Sequence, residues 1–238
     1  MRILGILILA FLVPSLGFSQ DTSKTVRLAD RTDWWSVLNE NFEWPNSKPK
    51  GDELAAANFE IAGVNLESDA PFLNLSSKFG RAVSTVRSKG NNGREQFCYA
   101  AAQNPAVRLV FEHGETNEAF YLFTEGQPWN GQALCAESAQ VAPALRTRSG
   151  LGLGLPPTEV EQVLGKPDFS SPNRFIYYRD IEKQTRNDKL AQLRTEHSDL
   201  ADKEFHDSYD SYDLELYIEV RFTDGKVSYI AVSRGESY

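Results

Sequence analysis

The chain is poor in the residues that most often do chemistry. Among its 238 residues are two cysteines and three histidines. Two thiols cannot complete a four-ligand structural zinc site, and His113, His197 and His206 sit at no zinc-finger spacing. A Gly-x-Ser-x-Gly elbow, a His-Glu-x-x-His helix and a P-loop are all missing. The run Gly150-Leu151-Gly152-Leu153-Gly154-Leu155 precedes a helical pattern, but a leucine stands where a dinucleotide fingerprint needs its third glycine. No catalytic, cofactor or metal residue is assigned on this basis. An enzyme with an unrecognised site stays open, because sequence does not say which carboxylates face each other. Basic excess is missing too. The formal net charge is −8, which repels phosphate backbones and anionic lipid and argues against nucleic acid as a partner.

No stretch is apolar enough to span a bilayer, which takes about 20 residues. The longest apolar run, Ile3 to Val13, follows the basic Met1-Arg2 start. Pro14 breaks it, and Gly17-Phe18-Ser19 places small residues at the minus-three and minus-one positions of a peptidase site. Residues 1–19 therefore read as a secretory signal peptide. No cysteine follows the run, so the expectation is a periplasmic or secreted protein with no membrane span and no lipid anchor. In that oxidising setting Cys98 and Cys135 are expected to form a disulfide, the alternative being two buried thiols.

What is present is an ordinary globular composition, 41% hydrophobic and 24% charged. Residues 20–57 form an N-terminal extension, in which Thr32-Asp33 can cap a short helix over Trp34–Leu38. Residues 58–146 then read as a helix followed by a meander. A short strand at Asn58–Ala62 comes first. Ser68 or Asp69 caps a helix carrying Phe72, Leu75 and Phe79, and Gly80 ends it. Strands follow at Gln96–Ala102, Val107–Glu112 and Ala119–Thr124, with a weaker one at Gln132–Ala136.

Residues 147–238 repeat that order. Pro157-Thr158-Glu159 opens a helix that Gly165 and Pro167 close. Strands run over Arg174–Asp180, Asp213–Thr223 and Lys226–Ser233, the last two joined by Asp224-Gly225. Phe79-Gly80 matches Leu164-Gly165, and Phe111-x-x-Gly114 matches Phe222-x-x-Gly225. The expected fold is α+β: two repeats, each a helix packed on a three- to four-stranded antiparallel sheet. A charged insertion at 181–212 interrupts the second repeat. Its expected helix runs from Glu182 to about Glu204, with Glu182–Arg186 and Asp199–Lys203 as i,i+4 pairs and a stripe of Leu190, Leu193, His197 and Leu200. It reads as a solvated arm or as a partner-binding helix.

The stretch from Gly152 to Pro167 resembles the helix signature of the SmpA/OmlA (BamE-type) fold, in which a capped helix ends in Leu-Gly-x-Pro. Glu219 to Val227 resembles that fold's hairpin. A tandem of such units resembles the β-lactamase inhibitor proteins. The resemblance implies a non-enzymatic protein-binding or envelope-assembly role with a protein partner and no cofactor, or, as an alternative, a secreted inhibitor of a hydrolase such as a β-lactamase. The resemblance supplies no binding residues.

Those come from alternation. In Asp213–Thr223, Leu214, Leu216, Ile218, Val220 and Phe222 share one face, and Tyr217, Glu219 and Arg221 share the other. Tyr177 and Tyr229 are placed with the second set. Tyr177, Tyr217, Tyr229, Glu219 and Arg221 are thus the candidate partner surface. Cross-strand packing that only stabilises the sheet is the competing reading.

Overall fold

A computed structural model describes residues 53–68, 70–82, 85–87, 95–113, 118–126 and 135–238. The expected signal peptide at residues 1–19, the helix expected at Thr32-Asp33, Trp34, Trp35, Trp44 and Trp129, Asp69, Gly114 and most of the expected Gln132–Ala136 strand lie outside the described residues.

Period-two alternation between turn signals becomes strand wherever the sequence shows it strongly. β1 (Glu60–Ile61) and β2 (Val64–Asn65) form a two-stranded hairpin across Ala62-Gly63. It follows a single 3-10 turn at Ala56–Phe59, where one strand over Asn58–Ala62 was expected. Next come α1 (Leu75–Phe79), β3 (Thr85–Arg87), β4 (Glu95–Ala101), β5 (Arg108–His113), β6 (Ala119–Thr124) and β7 (Ala136–Ser138). The second half holds α2 (Pro157–Leu164), β8 (Phe169–Ser171), β9 (Arg174–Gln184), α3 (Asn187–Glu196), α4 (Asp202–Tyr209), β10 (Ser211–Thr223) and β11 (Lys226–Ser237).

Two separate helix-on-sheet repeats do not form, which corrects the expected fold. The strands from β3 to β11 make one mixed nine-stranded sheet in the order β3-β4-β5-β6-β11-β10-β9-β8, with β7 parallel to β4. The seam is β6 against β11, paired antiparallel from Ala119↔Arg234 to Thr124↔Tyr229. Each meander ends on a strand with an open edge, and those two edges satisfy one another. Helix is scarce. α1 is five residues long and starts seven residues after Ser68, whose hydroxyl accepts from the Ala70 N–H in a local turn that does not continue into the helix. α2 does match its expectation, starting at a proline and stopping at Gly165, whose φ of +81° suits glycine.

The core is the sheet face that carries Tyr99, Leu109, Phe111, Tyr121, Phe123, Ile230, Val232, Leu216, Ile218, Val220 and Tyr177. Phe59, Ile61, Leu66, Leu75 and Phe79 from the chain's first described segment pack on it, with Leu151, Leu153 and Val160. Each such side chain is worth about 1.5–3 kcal/mol when fully buried. Hydrogen bonds fasten this cover. Arg148 N–H donates to the Glu60 carbonyl (2.9 Å), Tyr121 Oη–H to the Asn58 carbonyl (2.8 Å), and Gly154 N–H to the Val227 carbonyl (2.8 Å).

The insertion is shorter and less helical than its charge pattern suggests. β9 continues to Gln184, so Glu182 pairs with Asp213 across the ladder and cannot face Arg186 along a helix. Arg186 pairs instead with Asp188 at 3.2 Å. Asp199 falls in the turn between α3 and α4, so its helical pair with Lys203 is lost as well. The two short helices are held by buried Leu193 and Phe205. Arg194 lies 5.0 Å over the Phe205 ring and donates to the Leu200 carbonyl (2.9 Å).

Candidate functional site

The second sheet face is where the charges gather. Along β10 it presents Tyr217, Glu219 and Arg221, as alternation dictates. A β-bulge brings Tyr229 to them. Phe222 pairs with Val227 but Arg221 pairs with Tyr229, so Ser228 is the extra residue. Val227 faces the core, and strict alternation from it would send Tyr229 to the core as well. The bulge inverts the parity and puts Tyr229 opposite Arg221. Ser228 is anchored there, its carbonyl accepting from Glu125 N–H (2.9 Å) and its hydroxyl 2.9 Å from that of Thr223.

Glu219 is the centre, 1% exposed. It accepts from Arg221 Nε (2.7 Å) and from the Tyr217 hydroxyl (3.2 Å), and Arg174, the cross-strand neighbour of Arg221, stands 4.0 Å away. The Arg221 guanidinium lies 4.5 Å over the Tyr229 ring. Such a contact contributes roughly 0.5–2 kcal/mol, more as it is desolvated. Burial works against the Arg221 charge, but Tyr229, Glu219 and Tyr217 outweigh it and keep the guanidinium protonated. Burial, followed by the nearby Glu219, pushes the hydroxyls of Tyr217 and Tyr229 far above their usual range. Both remain neutral at any physiological pH, and Tyr217 remains a donor to Glu219.

The result is a fixed arginine. Nε is taken by Glu219 and the plane by Tyr229. Nη1 and Nη2 have no partner among the described residues, and the side chain is 35% exposed. A guanidinium edge held in this way matches a carboxylate bidentately and loses little side-chain entropy on binding. Tyr217, Tyr229 and Glu219 are buried, so they form the support beneath Arg221 and not a flat exposed patch.

Tyr177 does not belong to this set. It lies on the core face, with its hydroxyl donating to the Gly165 carbonyl at the end of α2 (3.1 Å). Four consecutive buried residues, Phe175 to Tyr178, give β9 no polar face by which its parity could be read. Arg174 escaped the sequence reading. Its one signal is its position at the start of a strand that pairs with Arg221.

Cys98 and Cys135 form a disulfide, with Cα atoms 4.5 Å apart. It ties β4 to the segment that leads into β7. Around it on the same face as Tyr229 pack Val110, Leu122 and Ala231. Gln96 Nε2 donates to buried Glu112 (2.5 Å) further along that face. Among the described residues no group of three or more His, Cys, Asp or Glu side chains is placed to hold a metal ion, and no helix is long and apolar enough to cross a membrane. No family model, no curated protein and no solved structure matches this chain.

Proposed function

We propose that the protein is an exported protein-binding or envelope-assembly module that works by holding a protein partner, not by turning over a substrate. The observation that carries this reading is Arg221: buried Glu219 fixes its Nε, Tyr229 lies beneath it, and its Nη1/Nη2 edge is left to an incoming group. Arg174 across the strand adds a second positive charge at the same rim. The partner recognised by this chemistry presents an Asp or Glu side chain, or a chain-terminal carboxylate, to the sheet face. Two features of the sequence support the setting: the signal-like residues 1–19, and the likeness of residues 152–167 to the SmpA/OmlA helix signature. The disulfide is compatible with an extracytoplasmic location.

The test is affinity capture from a native envelope fraction with two baits, the wild-type chain and Arg221→Lys. Lysine keeps the charge but lacks the fork, so the expected result is a protein retained by the wild type and weakened about tenfold with the variant. Thermal melts confirm that both baits are folded. Repeated failure of the wild type to enrich any protein, or equal retention by both baits, overturns the reading.

A further inference from the structure

A second polar site lies on the core side of the sheet, away from Arg221. It is a groove of about 220 Å³ walled by the turn after β2, by α3, and by the ends of β5, β6 and β11. Charged residues line it from five separate segments: Glu67, His113, Glu118, Lys189, and Arg234 with Glu236. Two of these neutralise each other, since Arg234 Nη2 donates to Glu236 (2.7 Å). Glu118 is engaged by other contacts. Among the described residues Lys189 and Glu67 make no ion pair, and the His113 ring makes only an edge contact with Phe72. Lys189 and Glu67 therefore line the same groove as one cation and one carboxylate with no ion pair among the described residues. Arg234 adds a buried Nε–H with no acceptor.

We infer that this groove binds a small dipolar ligand, a free amino acid or a dipeptide, with its carboxylate toward Lys189 and its ammonium toward Glu67. A ligand with negative charge alone would meet Glu67 unpaired, and one with positive charge alone would meet Lys189. Only a ligand carrying both neutralises both walls. Size agrees. A volume of about 220 Å³ holds on the order of seven waters and lies below the roughly 300 Å³ at which pockets for drug-sized molecules begin. The site also gives the insertion a role, since α3 contributes Lys189 and Gln192 to a wall that the sheet alone would leave open.

Calorimetric titration of the full chain tests this. The dipolar probes are L-alanine and L-alanyl-L-alanine; acetate and ethylamine are the single-charge probes. Saturable binding is expected for at least one dipolar probe, with acetate and ethylamine at least about tenfold weaker. Lys189→Met and Glu67→Gln should each weaken binding by about fivefold, the scale of one partly exposed ion pair. Both positions are at the surface, and circular dichroism verifies the fold of each variant. Arg221→Lys, remote from the groove, should bind like the wild type, so that loss of partner capture and loss of ligand are separate results. No saturable binding of either dipolar probe, acetate binding as tightly as the dipeptide, or unchanged affinity in both variants overturns the inference.

Discussion

Glu219 is the place to perturb the sheet. It is 1% exposed and receives two hydrogen bonds, one from a guanidinium. Replacing it with leucine leaves Arg221 and the Tyr217 hydroxyl without their acceptor. Removing one member of a fully buried ion pair costs about 3–5 kcal/mol. Arg221 is 35% exposed and can recruit water, which lowers the expectation to about 2–3 kcal/mol. Glu219→Gln keeps an oxygen for Nε and loses only the charge, so about 1 kcal/mol is expected. For a chain of this size 1 kcal/mol shifts the melting temperature by roughly 2–4 °C, so the leucine variant should melt about 4–12 °C lower. Urea titration gives the free energies. The double variant Glu219→Leu with Arg221→Met closes a cycle, and its coupling should fall within about 1–3 kcal/mol, because removing both charges strands neither. The reasoning fails if Glu219→Leu lies within about 0.5 kcal/mol of the wild type, or if the double variant costs the sum of the two singles.

Two tyrosines on opposite faces should respond in opposite ways to loss of the hydroxyl. Tyr121→Phe removes a 2.8 Å hydrogen bond to the Asn58 carbonyl and should cost about 1 kcal/mol in urea titration. Tyr229→Phe removes a buried hydroxyl with no partner and should be neutral or stabilising. Replacing both Cys98 and Cys135 by alanine should cost up to about 3.9 kcal/mol, an upper value from the chain entropy of a loop of about 38 residues, read as the drop in urea midpoint against the oxidised wild type. Alkali should unfold the protein cooperatively. Burial raises Tyr121, Tyr177, Tyr217 and Tyr229 above 10.0, the ordinary value of an unfolded tyrosine. These groups leave stability unchanged below about pH 10. Above it, each takes away about 1.4 kcal/mol per pH unit until its folded value is reached. The phenolate absorbance of these four tyrosines should therefore appear in one steep step together with loss of circular dichroism. Gradual ionisation of every tyrosine near pH 10 with the fold intact would contradict their burial.

Where a residue's environment is decided by its immediate neighbours, the sequence was enough. β6 runs from Ala119 to Thr124, a short apolar run set off by polar turn residues as the sequence predicts, and the Asp224-Gly225 turn joins β10 and β11. α2 is legible because proline and Gly165 mark its ends chemically. The joining of β6 to β11 is not, because hydrophobic alternation specifies which face of a strand is buried and says nothing about which edge finds a partner. The groove walled by Glu67, His113, Lys189 and Arg234 is hidden for the same reason, since it depends on elements brought together only by that junction.

The candidate site shows how far one local irregularity can carry. Tyr217, Glu219 and Arg221 share a face through plain period-two geometry, so β10 alone places three of the site's groups. Tyr177 fails because β9 is buried on both sides and its parity has no polar mark. Tyr229 reaches the site only because Ser228 is inserted as a bulge, held by Glu125 and Thr223. Without that extra residue Tyr229 would turn into the core, and Arg221 would lose the ring 4.5 Å beneath it. It would keep Glu219 but swing about that single contact. The bulge is therefore what converts a charged side chain on a sheet into a fixed guanidinium edge, and binding that depends on such an edge depends on Ser228 as much as on the arginine itself.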